Sequence, residues 1–551
     1  METHVRLAVV AGLCLTPLAP LSLRLAQLQV MQHQRIDKEV INEVVHTTAV
    51  AADRADIVDR RGRLLARSVP FLSCFVERPL PPDTAALAAC LGRILAMPPA
   101  EVLRRLQGRE RRLYVKEDVS AQQAAALAET KLKDKKLISY GVGVELRHRR
   151  FYPRGDLALN VLGKVGTEQN GLSGVELTFD SRLRGRARRL RYLRDGLGRI
   201  IYRDAEVRPE TTQPLALSLD RDSQFHAEEV LHEAAAQFHA KGGMIVVLDP
   251  ATSEVLAMAA LPSDRLKNPI IQDPYEPGST FKLIAAAAAL EESLVDENQT
   301  FFCENGSYDI APGVRIHDHE PAGLLTLQGI LERSSNIGIS KVVERVGARR
   351  FYSYSRAFGF DIKTGIDLPG ETAGEMKPFA HLTRVVLAAS SYGYGIGASA
   401  LQVANAYSAI ANGGTLYEPS ILAVSRRPQP VRRVVSDATA RTLTRMLESV
   451  VERGTGMSGR IPGYRVAGKT GTARKLDPRT GAYSTSSYMA SFVGFLPASR
   501  PQWAILVVID EPKGQYYGAQ VAAPVFAKLG RRLLAMAGVP PDQPTVLAGR
   551  P

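Results

Sequence analysis

The chain has 551 residues, 45% of them hydrophobic and 23% charged, which is the composition of a globular protein with sizeable cores and predicts two or three domains. Its net charge of +14 is large enough to suggest nucleic acid or an anionic surface as a partner. The four cysteines lack the spacing of a metal site, and the chain has neither a zincin motif nor a Gly-rich phosphate loop, which argues against these classes of metalloenzyme and nucleotide-binding protein.

The N-terminal segment is apolar. Residues 7–23 contain no charged side chain and consist mostly of Leu, Ala and Val, which is near the short limit for a membrane span. No A-x-A-like cleavage site precedes the next segment, so we expect an uncleaved anchor, with a cleaved signal peptide as the alternative. Residues 1–23 would then form a cytoplasmic tail and transmembrane anchor, with the bulk of the chain outside the cytoplasm.

The following region mixes helical and β-type patterns. A helical stalk is expected over residues 26–45, and residues 54–66 predict a strand, a polar turn and a second strand. Residues 82–135 have helical periodicity, and the many glycines of residues 149–185 indicate turns and close backbone contacts. Cys74 and Cys90 are expected either to form a bridge or to be free buried thiols.

Residues 182–199 contain eight arginines. Such a run is either a binding surface for a polyanion or one solvated face of a strand. Because DNA is not an expected partner outside the cytoplasm, the sequence predicts no nucleic acid binding. Anionic lipid headgroups and a partner protein remain open as partners.

From about residue 213 the pattern changes to that of an α+β domain. Five strands are expected, the first two of which form a hairpin, at residues 244–249, 254–259, 464–474, 490–497 and 503–510. Helices are expected at residues 224–239 and 521–537, and residues 324–450 appear largely helical. This pattern predicts a five-stranded antiparallel sheet covered by helices, in which the two ends of the domain meet.

Ser279 and Lys282 stand three residues apart, where a Pro-Gly turn enters a predicted buried helix. Positions i and i+3 share a helix face, so the lysine amine is expected to touch the serine hydroxyl. A serine is a weak nucleophile until a base takes its proton, and a buried lysine with a depressed pKa can be that base. Such a pair also arises by chance, so other motifs have to decide.

Two further motifs follow in order. Ser334-Ser335-Asn336 begins a predicted helix, and Lys469–Thr472 lies in a predicted strand. A second Lys-Thr-Gly, at residues 363–365, lies among turn residues without a flanking strand and is interpreted as a surface loop. The distinction is geometric, because the edge of a sheet can align a bound peptide by main-chain hydrogen bonds.

Ser-x-x-Lys, Ser-x-Asn and Lys-Thr-Gly together are the signature of penicillin-binding proteins and class A β-lactamases. From about residue 5 to about residue 540 the chain resembles the class B, monofunctional penicillin-binding proteins, the membrane-anchored D,D-transpeptidases of peptidoglycan synthesis. Further segments that carry the resemblance include residues 54–66, 150–155, 171–176, 195–198 (Asp-Gly-Leu-Gly), 393–397, 409–414, 516–518 and 524–526.

The resemblance implies a multidomain α/β (α+β) protein with four parts: the anchor at residues 1–23, a stalk and elongated β-rich pedestal domain of the dimerisation type at 24–210, a serine β-lactamase-like transpeptidase domain at 211–540, and a tail at 541–551. It also implies a single-pass protein of the bacterial inner membrane whose catalytic domain is periplasmic or otherwise extracytoplasmic.

The resemblance also implies the catalytic roles. Ser279 attacks the carbonyl of a terminal D-Ala-D-Ala and forms an acyl-enzyme, with Lys282 as the base. Ser334 passes a proton to the departing D-alanine, and Asn336 holds the donor amide and fixes Lys282. Lys469 supplies positive potential. An amine of a neighbouring stem peptide then attacks the ester, and no metal or cofactor is required.

The substrate-binding roles are implied in the same way. Thr470 and Thr472 offer hydroxyls to the terminal carboxylate, and Gly471 leaves room for the ligand to approach closely. The backbone N–H groups of Ser279 and Thr472 form the oxyanion hole. β-Lactam antibiotics would acylate the same serine.

Partners and pathway follow from the same resemblance. No glycosyltransferase domain fits between anchor and catalytic domain, so a membrane glycan polymerase is an expected partner. Residues 334–338, 361–370 and 469–526 resemble the division (septal) type more than the elongation type, so other division proteins are expected partners as well. One departure from the family is a short segment at residues 261–275 that lacks the usual Asp-Pro-Asn.

Two rival functions are disfavoured. A class A β-lactamase places a glutamate to activate water, and no Glu-x-x-Leu-Asn follows Ser334. A non-enzymatic β-lactam sensor or scaffold would require a signalling domain, for which the chain shows no sequence, and the three intact motifs argue against a dead enzyme.

Overall fold

The computed structural model describes residues 2–16, 18–32, 34–35, 45–50, 54–167, 169–184, 188–194, 200–203, 213–423, 428–477 and 479–543. The chain divides into two compact units, Met1–Arg54 with Arg184–Thr212, and Ala55–Leu183 with Gln213–Pro551. The family-like segment at residues 195–198, half of the predicted stalk and part of the arginine run lie outside the described residues.

The first unit contains N-terminal helices and a small sheet. The helices are Glu2–Leu15 and Leu18–Ala26, followed by a π-helical turn, Gln27–Met31. The antiparallel sheet has the strand order Val45–Val50, Arg188–Arg194, Ile200–Arg203. Thus Val45, expected at the end of a helical stalk, begins a strand. The strand interpretation of the arginine run is confirmed at Arg188–Arg194 and is wrong at Arg182, which lies in the helix Asp180–Leu183. Within the described ranges, no helix combines the length and the apolar character needed to cross a membrane.

The N-terminal half of the second unit is built on one long strand. Leu64–Glu77 pairs with Ile57–Val58, Arg112–Lys116 and Val142–Phe151, and Ile57–Val58 in turn pairs with Leu215–Ala216. The strand–turn–strand prediction for residues 54–66 is therefore confirmed.

Three helices in this region are Thr84–Leu95, Pro99–Leu106 and Ala121–Glu129. The helical prediction for residues 82–135 is wrong at Arg112–Lys116, where Leu113 and Val115 are buried and alternate with more exposed residues, as in a strand. It is also wrong at Lys131–Leu132, which pairs with Lys135–Lys136 in a short hairpin. Cys74 and Cys90 lie in the core beneath this sheet as free thiols.

In the described residues of the glycine-rich tract the helices are short, Leu159–Leu162, Gly174–Thr178 and Asp180–Leu183. A Cβ atom at Gly171 would lie 1.9 Å from the carbonyl oxygen of Glu176, so only glycine fits there. The carboxylate of Glu176 in turn accepts a hydrogen bond from Arg150 at 2.7 Å, and both side chains are buried. The predicted close backbone contacts are confirmed.

The C-terminal half has a five-stranded antiparallel sheet with the order Val255–Leu261, Gly242–Leu248, Trp503–Asp510, Tyr483–Leu496, Ala467–Leu476. On Gly242–Leu248, Met244 and Val246 belong to one hydrophobic core and Ile245 and Val247 to another, because successive side chains point to opposite faces of the sheet. The predicted sheet is confirmed, with Tyr483–Leu496 beginning seven residues before the expected residue 490.

Helices cover both faces of this sheet. Arg221–Gln237 and Gly518–Ala537 contribute to one core. The other core takes side chains from Lys282–Glu291, Leu327–Glu332, Asn336–Val346, Ala348–Ala357, Arg384–Ser391, Ala400–Ala411 and Asp437–Arg453. Short hairpins join Thr300–Phe302 to Leu324–Thr326, Ser307–Ala311 to Val314–His317, Glu375–Met376 to Ile396–Gly397 and Thr415–Tyr417 to Pro430–Arg433. The helical middle is confirmed.

Candidate active site

Ser279 lies in a 3₁₀ turn, Gly278–Phe281, that continues into the helix Lys282–Glu291. Gly278 has a φ of +57°, and a Cβ atom there would lie 3.2 Å from the carbonyl oxygen of Thr472, so glycine allows the turn to pack against the neighbouring strand. The hydroxyl of Thr280 donates to the carbonyl of Pro277 at 2.8 Å and holds the turn. Ser279 remains partly exposed, so a substrate can reach its hydroxyl.

Lys282 is fully buried, and its amine is directed to the second motif. It donates to the hydroxyl of Ser334 at 3.1 Å and also to the backbone carbonyl of Ser334. Between the described side chains of Ser279 and Lys282 the structure records no hydrogen bond, although one was expected. A buried amine requires acceptors, and Ser334 provides two of them.

Lys469 approaches the same hydroxyl from the sheet. Its amine donates to Ser334 Oγ at 2.9 Å and to the carbonyl of Thr470 at 3.2 Å. Ser334 has a φ of +57°, an uncommon backbone conformation for a serine, and its Oγ accepts hydrogen bonds from two lysines. With both lone pairs engaged, the hydroxyl proton of Ser334 is available for donation to a third group.

The burial of these lysines changes their acidity. Burial lowers the pKa of Lys282 well below its usual range, and the neighbouring charge of Lys469 lowers it further, against the opposing effect of Asp318. Burial lowers the pKa of Lys469 to about 7. A lysine that is neutral near physiological pH can accept a proton from a serine hydroxyl, so the site can activate Ser279.

Asp318 is a site residue that the sequence analysis missed. Its Oδ1 accepts the backbone N–H groups of Asn336 at 2.5 Å and Ile337 at 3.0 Å, and its Oδ2 accepts the hydroxyl of Ser335 at 2.5 Å. These bonds satisfy free N–H groups at the start of the helix Asn336–Val346, where a carboxylate is favoured. No motif spacing marks Asp318, since it lies after a hairpin strand, 16 positions before Ser334.

Asn336 lies beside the cleft but does not contact Lys282 through any hydrogen bond that the structure records. Its side-chain amide donates to the carbonyl of His317 at 3.1 Å, and the side chain is partly exposed. The expected role in holding a donor amide is compatible with this exposure, whereas the expected fixing of Lys282 is carried out by Ser334.

The remaining residues of the third motif lie in the strand Ala467–Leu476, which among the described strands pairs with Tyr483–Leu496 alone and so forms an edge of the sheet. The hydroxyl of Thr470 is 2.9 Å from that of Thr455. Thr472 Oγ1 accepts the N–H of Gly518 at 3.0 Å, so its proton remains available to a ligand. A Cβ atom at Gly471 would lie 2.3 Å from Ser491 Oγ, which leaves no room for a side chain.

An aromatic group borders Thr472. Tyr517 precedes Gly518, and its hydroxyl is 3.0 Å from Nε2 of His319. The ring of Tyr516 stacks on that of Tyr488 with centroids 4.2 Å apart. In the part of the chain that the structure describes, no group of three or more His, Cys, Asp or Glu side chains could hold a metal ion. Overall, a reachable serine, a lysine poised to be neutral and a bridging serine form a site for nucleophilic acyl transfer.

Comparison with known proteins identifies the family. Residues 243–530 match the transpeptidase domain of penicillin-binding proteins. The chain belongs to the penicillin-binding proteins. Residues 49–217 match the penicillin-binding protein dimerisation domain, and these two domains together make the chain a class B member.

Curated relatives span nearly the whole of this penicillin-binding protein. The probable peptidoglycan D,D-transpeptidase PenA of Neisseria gonorrhoeae is 33% identical over 541 residues, which cover 95% of this chain and 91% of the relative. The peptidoglycan D,D-transpeptidase FtsI of Escherichia coli K12 is 32% identical over 557 residues, covering 98% and 92%.

Solved structures of penicillin-binding proteins resemble this chain as well. Penicillin-binding protein 3 of Mycobacterium tuberculosis, in its apo form, superimposes with a TM-score of 0.68 at 28% identity and covers 91% of this chain and 99% of its own. The TP domain of penicillin-binding protein 3 from Burkholderia pseudomallei superimposes with a TM-score of 0.56 at 36% identity, covering 60% and 98%.

Proposed function

We propose that this class B penicillin-binding protein is a serine D,D-transpeptidase that cross-links peptidoglycan stem peptides through an acyl-enzyme on Ser279 and releases D-alanine. The observation that carries the proposal is the hydroxyl of Ser334, which accepts hydrogen bonds from both Lys282 and Lys469 beside a reachable serine. Relatives named peptidoglycan D,D-transpeptidases over more than nine-tenths of the chain support the same reaction.

In the acylation step, Ser279 Oγ attacks the carbonyl carbon of the penultimate D-alanine while neutral Lys282 takes the serine proton. The N–H groups of Ser279 and Thr472 stabilise the oxyanion. When the C–N bond breaks, Ser334 gives its proton to the departing amine of D-alanine, and protonated Lys282 replaces that proton along its 3.1 Å hydrogen bond to Ser334. Protons balance, and Lys282 ends neutral.

In the second step an amine of a neighbouring stem peptide attacks the ester carbonyl, and the same groups act in reverse. Lys469 places positive charge near the terminal carboxylate of the donor, and the hydroxyls of Thr470 and Thr472 donate to that carboxylate. Asn336 holds the donor amide from the opposite wall. β-Lactams would acylate Ser279 through the same first step.

The cellular setting of the proposal is the division septum, supported by the 32% identity to FtsI over 98% of the chain. We place an inner-membrane anchor at residues 1–23, a pedestal at 24–210, the catalytic domain at 211–540 outside the cytoplasm, and a tail at 541–551. The 17 uncharged residues 7–23 support the anchor. A membrane glycan polymerase and other division proteins are the proposed partners.

The reaction is tested with the purified protein, a donor peptide ending in D-Ala-D-Ala and a peptide amine. We expect stoichiometric release of D-alanine and formation of the amide product, and neither from Ser279→Ala with an unchanged unfolding temperature. D-Alanine release undiminished in Ser279→Ala would overturn the proposal. Depletion in cells separates the two pathways, since filaments support division and round cells support the elongation alternative.

A further inference from the structure

Two side chains from opposite walls of the cleft meet at its mouth. His319 directly follows Asp318, on the wall that carries the second motif, and Tyr517 directly precedes Gly518, on the side of the sheet. Nε2 of His319 is 3.0 Å from the hydroxyl of Tyr517, and the two rings meet edge to face with their centroids 5.0 Å apart. One hydrogen bond and one aromatic contact, together called the mouth contact below, thus join the two walls.

The sheet side of the mouth contact leads back to the turn that carries Ser279. Gly278 in that turn packs against Thr472, whose Oγ1 accepts the N–H of Gly518 at 3.0 Å. Because Tyr517 is bonded to Gly518, this hydrogen bond holds the tyrosine next to the third motif.

The other side of the mouth contact leads back to the same turn. Lys282 follows the turn and donates to Ser334 at 3.1 Å, and the hydroxyl of Ser335 donates to Asp318 at 2.5 Å. His319 is the next residue in the chain. The mouth contact therefore closes a ring of contacts around the cleft, which starts and ends at the turn of the nucleophile.

The mouth contact is the outermost part of this ring. His319 is exposed and Tyr517 is partly exposed, whereas Lys282 is fully buried. Tyr517 is backed by other rings, since the hydroxyl of Tyr516 donates to its hydroxyl at 3.3 Å and the ring of Tyr516 stacks on that of Tyr488. His319 belongs to a loop at residues 318–323. A single exposed hydrogen bond contributes little to stability, so a ligand that binds in the cleft can separate the two side chains.

The proposed reaction requires control at this place. Once D-alanine has left the space beside Thr472, the ester on Ser279 can be attacked by an amine or by water. Water is far more concentrated than any peptide amine, so a transpeptidase has to limit hydrolysis. A closed cleft excludes water, and a closure that opens only with the binding energy of the correct substrate selects that substrate.

We propose that the mouth contact selects the acyl acceptor. In the closed state it shields the ester on Ser279 from water, and a peptide that carries the acceptor amine separates His319 from Tyr517 as it binds. In either outcome the ester C–O bond to Ser279 Oγ breaks and the hydroxyl regains a proton from the attacking group. Aminolysis forms an amide, and hydrolysis forms a carboxylic acid. The proposal rests on the proposed function, since it requires an acyl-enzyme on Ser279.

The test follows the fate of the acyl group. The full-length protein reacts with a D-alanyl thioester donor, in which sulfur replaces the scissile amide nitrogen, and with a peptide amine, and mass spectrometry quantifies the amide and acid products. Because both products come from the same acyl-enzyme, their ratio does not depend on the rate of acylation. We expect His319→Ala and Tyr517→Ala each to raise the ratio of acid to amide about tenfold, as loss of one hydrogen bond implies.

A double variant and a control assign the effect to the mouth contact. His319→Ala combined with Tyr517→Ala is expected to raise the ratio no further than either substitution alone, because both remove the same contact. If Tyr517→Ala lowers the unfolding temperature, His319→Ala in the exposed loop decides alone. The matched control is His381→Ala, at an exposed histidine in the turn Phe379–His381, which is expected to keep the ratio of wild type.

An unchanged ratio in His319→Ala overturns the proposal, and so does an equal rise in His381→Ala. Single effects that multiply in the double variant also overturn it, because the two side chains would then act separately. These results leave the proposed function intact, since the acyl-enzyme still forms. Absence of thiol release from the donor by the wild-type protein is a different result, which contradicts the proposed function itself.

Discussion

The tripeptide Lys-Thr-Gly occurs twice in the chain, and the structure gives the two copies different surroundings. Lys469 lies in the edge strand Ala467–Leu476, is 1% exposed and donates to Ser334 Oγ at 2.9 Å. Lys363 is exposed in a loop without strand structure. There the backbone N–H and hydroxyl of Thr364 both donate to the carboxylate of Glu371, at 2.6 and 2.5 Å.

The comparison shows that the element around a motif decides its chemistry. Burial in the sheet lowers the pKa of Lys469 to about 7 and places its amine beside the second motif. In the loop, Glu371 occupies the N–H and hydroxyl groups that a substrate carboxylate would need. The same three residues thus serve a cleft in one place and a turn in the other.

The largest expected effect comes from Lys282, which shares the hydroxyl of Ser334 with Lys469. Lys282→Met removes the base while keeping the volume of the buried side chain, and we expect acylation of Ser279 by a penicillin to fall about 10²- to 10⁴-fold. Stopped-flow acylation kinetics measure the change. A rate within threefold of wild type would show that the buried cluster around Ser334 is not the activating device.

Separate substitution of Lys469 and Lys363 tests the difference between the two Lys-Thr-Gly copies directly. Lys469→Ala is expected to lower acylation about 10²- to 10³-fold, because it removes the charge beside the substrate carboxylate. Lys363→Ala, its matched control, is expected to change the same rate constant by less than about twofold, as for a surface substitution. Equal effects of the two substitutions would contradict the distinction between strand and loop.

The pH profile sharpens the comparison. Lys469 is protonated below its pKa of about 7 and neutral above it, so its positive charge is lost as pH rises through 7. We expect kcat/KM for a carboxylate-bearing donor to fall on that limb, since this parameter reports the free enzyme. Lys469→Arg keeps its charge to high pH and is expected to lose the limb. A limb that persists in Lys469→Arg belongs to another group.

Among the residues of the site, Asp318 gives the smallest expected effect on acylation. Asp318→Asn retains one acceptor but weakens the bonds to Ser335 and to the N–H of Asn336, so we expect acylation to fall about tenfold or less, as for loss of one charged hydrogen bond. Acylation should also rise with pH as Lys282 loses its proton and becomes a base. Because the charge of Asp318 raises the pKa of Lys282, its loss should shift this rising limb to lower pH. A rate drop without that shift would assign Asp318 a purely structural role.

Much of this site could be predicted from the sequence because its parts lie in strongly patterned elements. The nearly unbroken run of apolar side chains in Gly242–Leu248 and in Trp503–Asp510 marks a sheet buried on both faces. The apolar run after Ser279 marks a buried helix, and the flanking strand separates Lys469 from Lys363. These signals are local in the sequence, so the sequence alone is sufficient to show them.

Other features depend on contacts between distant residues. The carboxylate of Asp318 closes a helix 18 positions later in the chain, and Ser334 rather than Ser279 accepts the hydrogen bonds of Lys282. Arg112–Lys116 was hidden inside a helical pattern because its neighbours on both sides are helices, and tertiary pairing with Leu64–Glu77 decides its form. No spacing rule reports such contacts.

The most direct test of the account is to find where a penicillin binds. The full-length protein is incubated with a fluorescent penicillin, digested, and the labelled peptide sequenced by mass spectrometry, with Ser279→Ala treated in parallel. The account predicts one adduct, an ester on Ser279, and no labelling of Ser279→Ala despite an unchanged unfolding temperature. An adduct on another serine, or equal labelling of Ser279→Ala, would contradict the central claim that Ser279 is the acylated centre of the three-motif site.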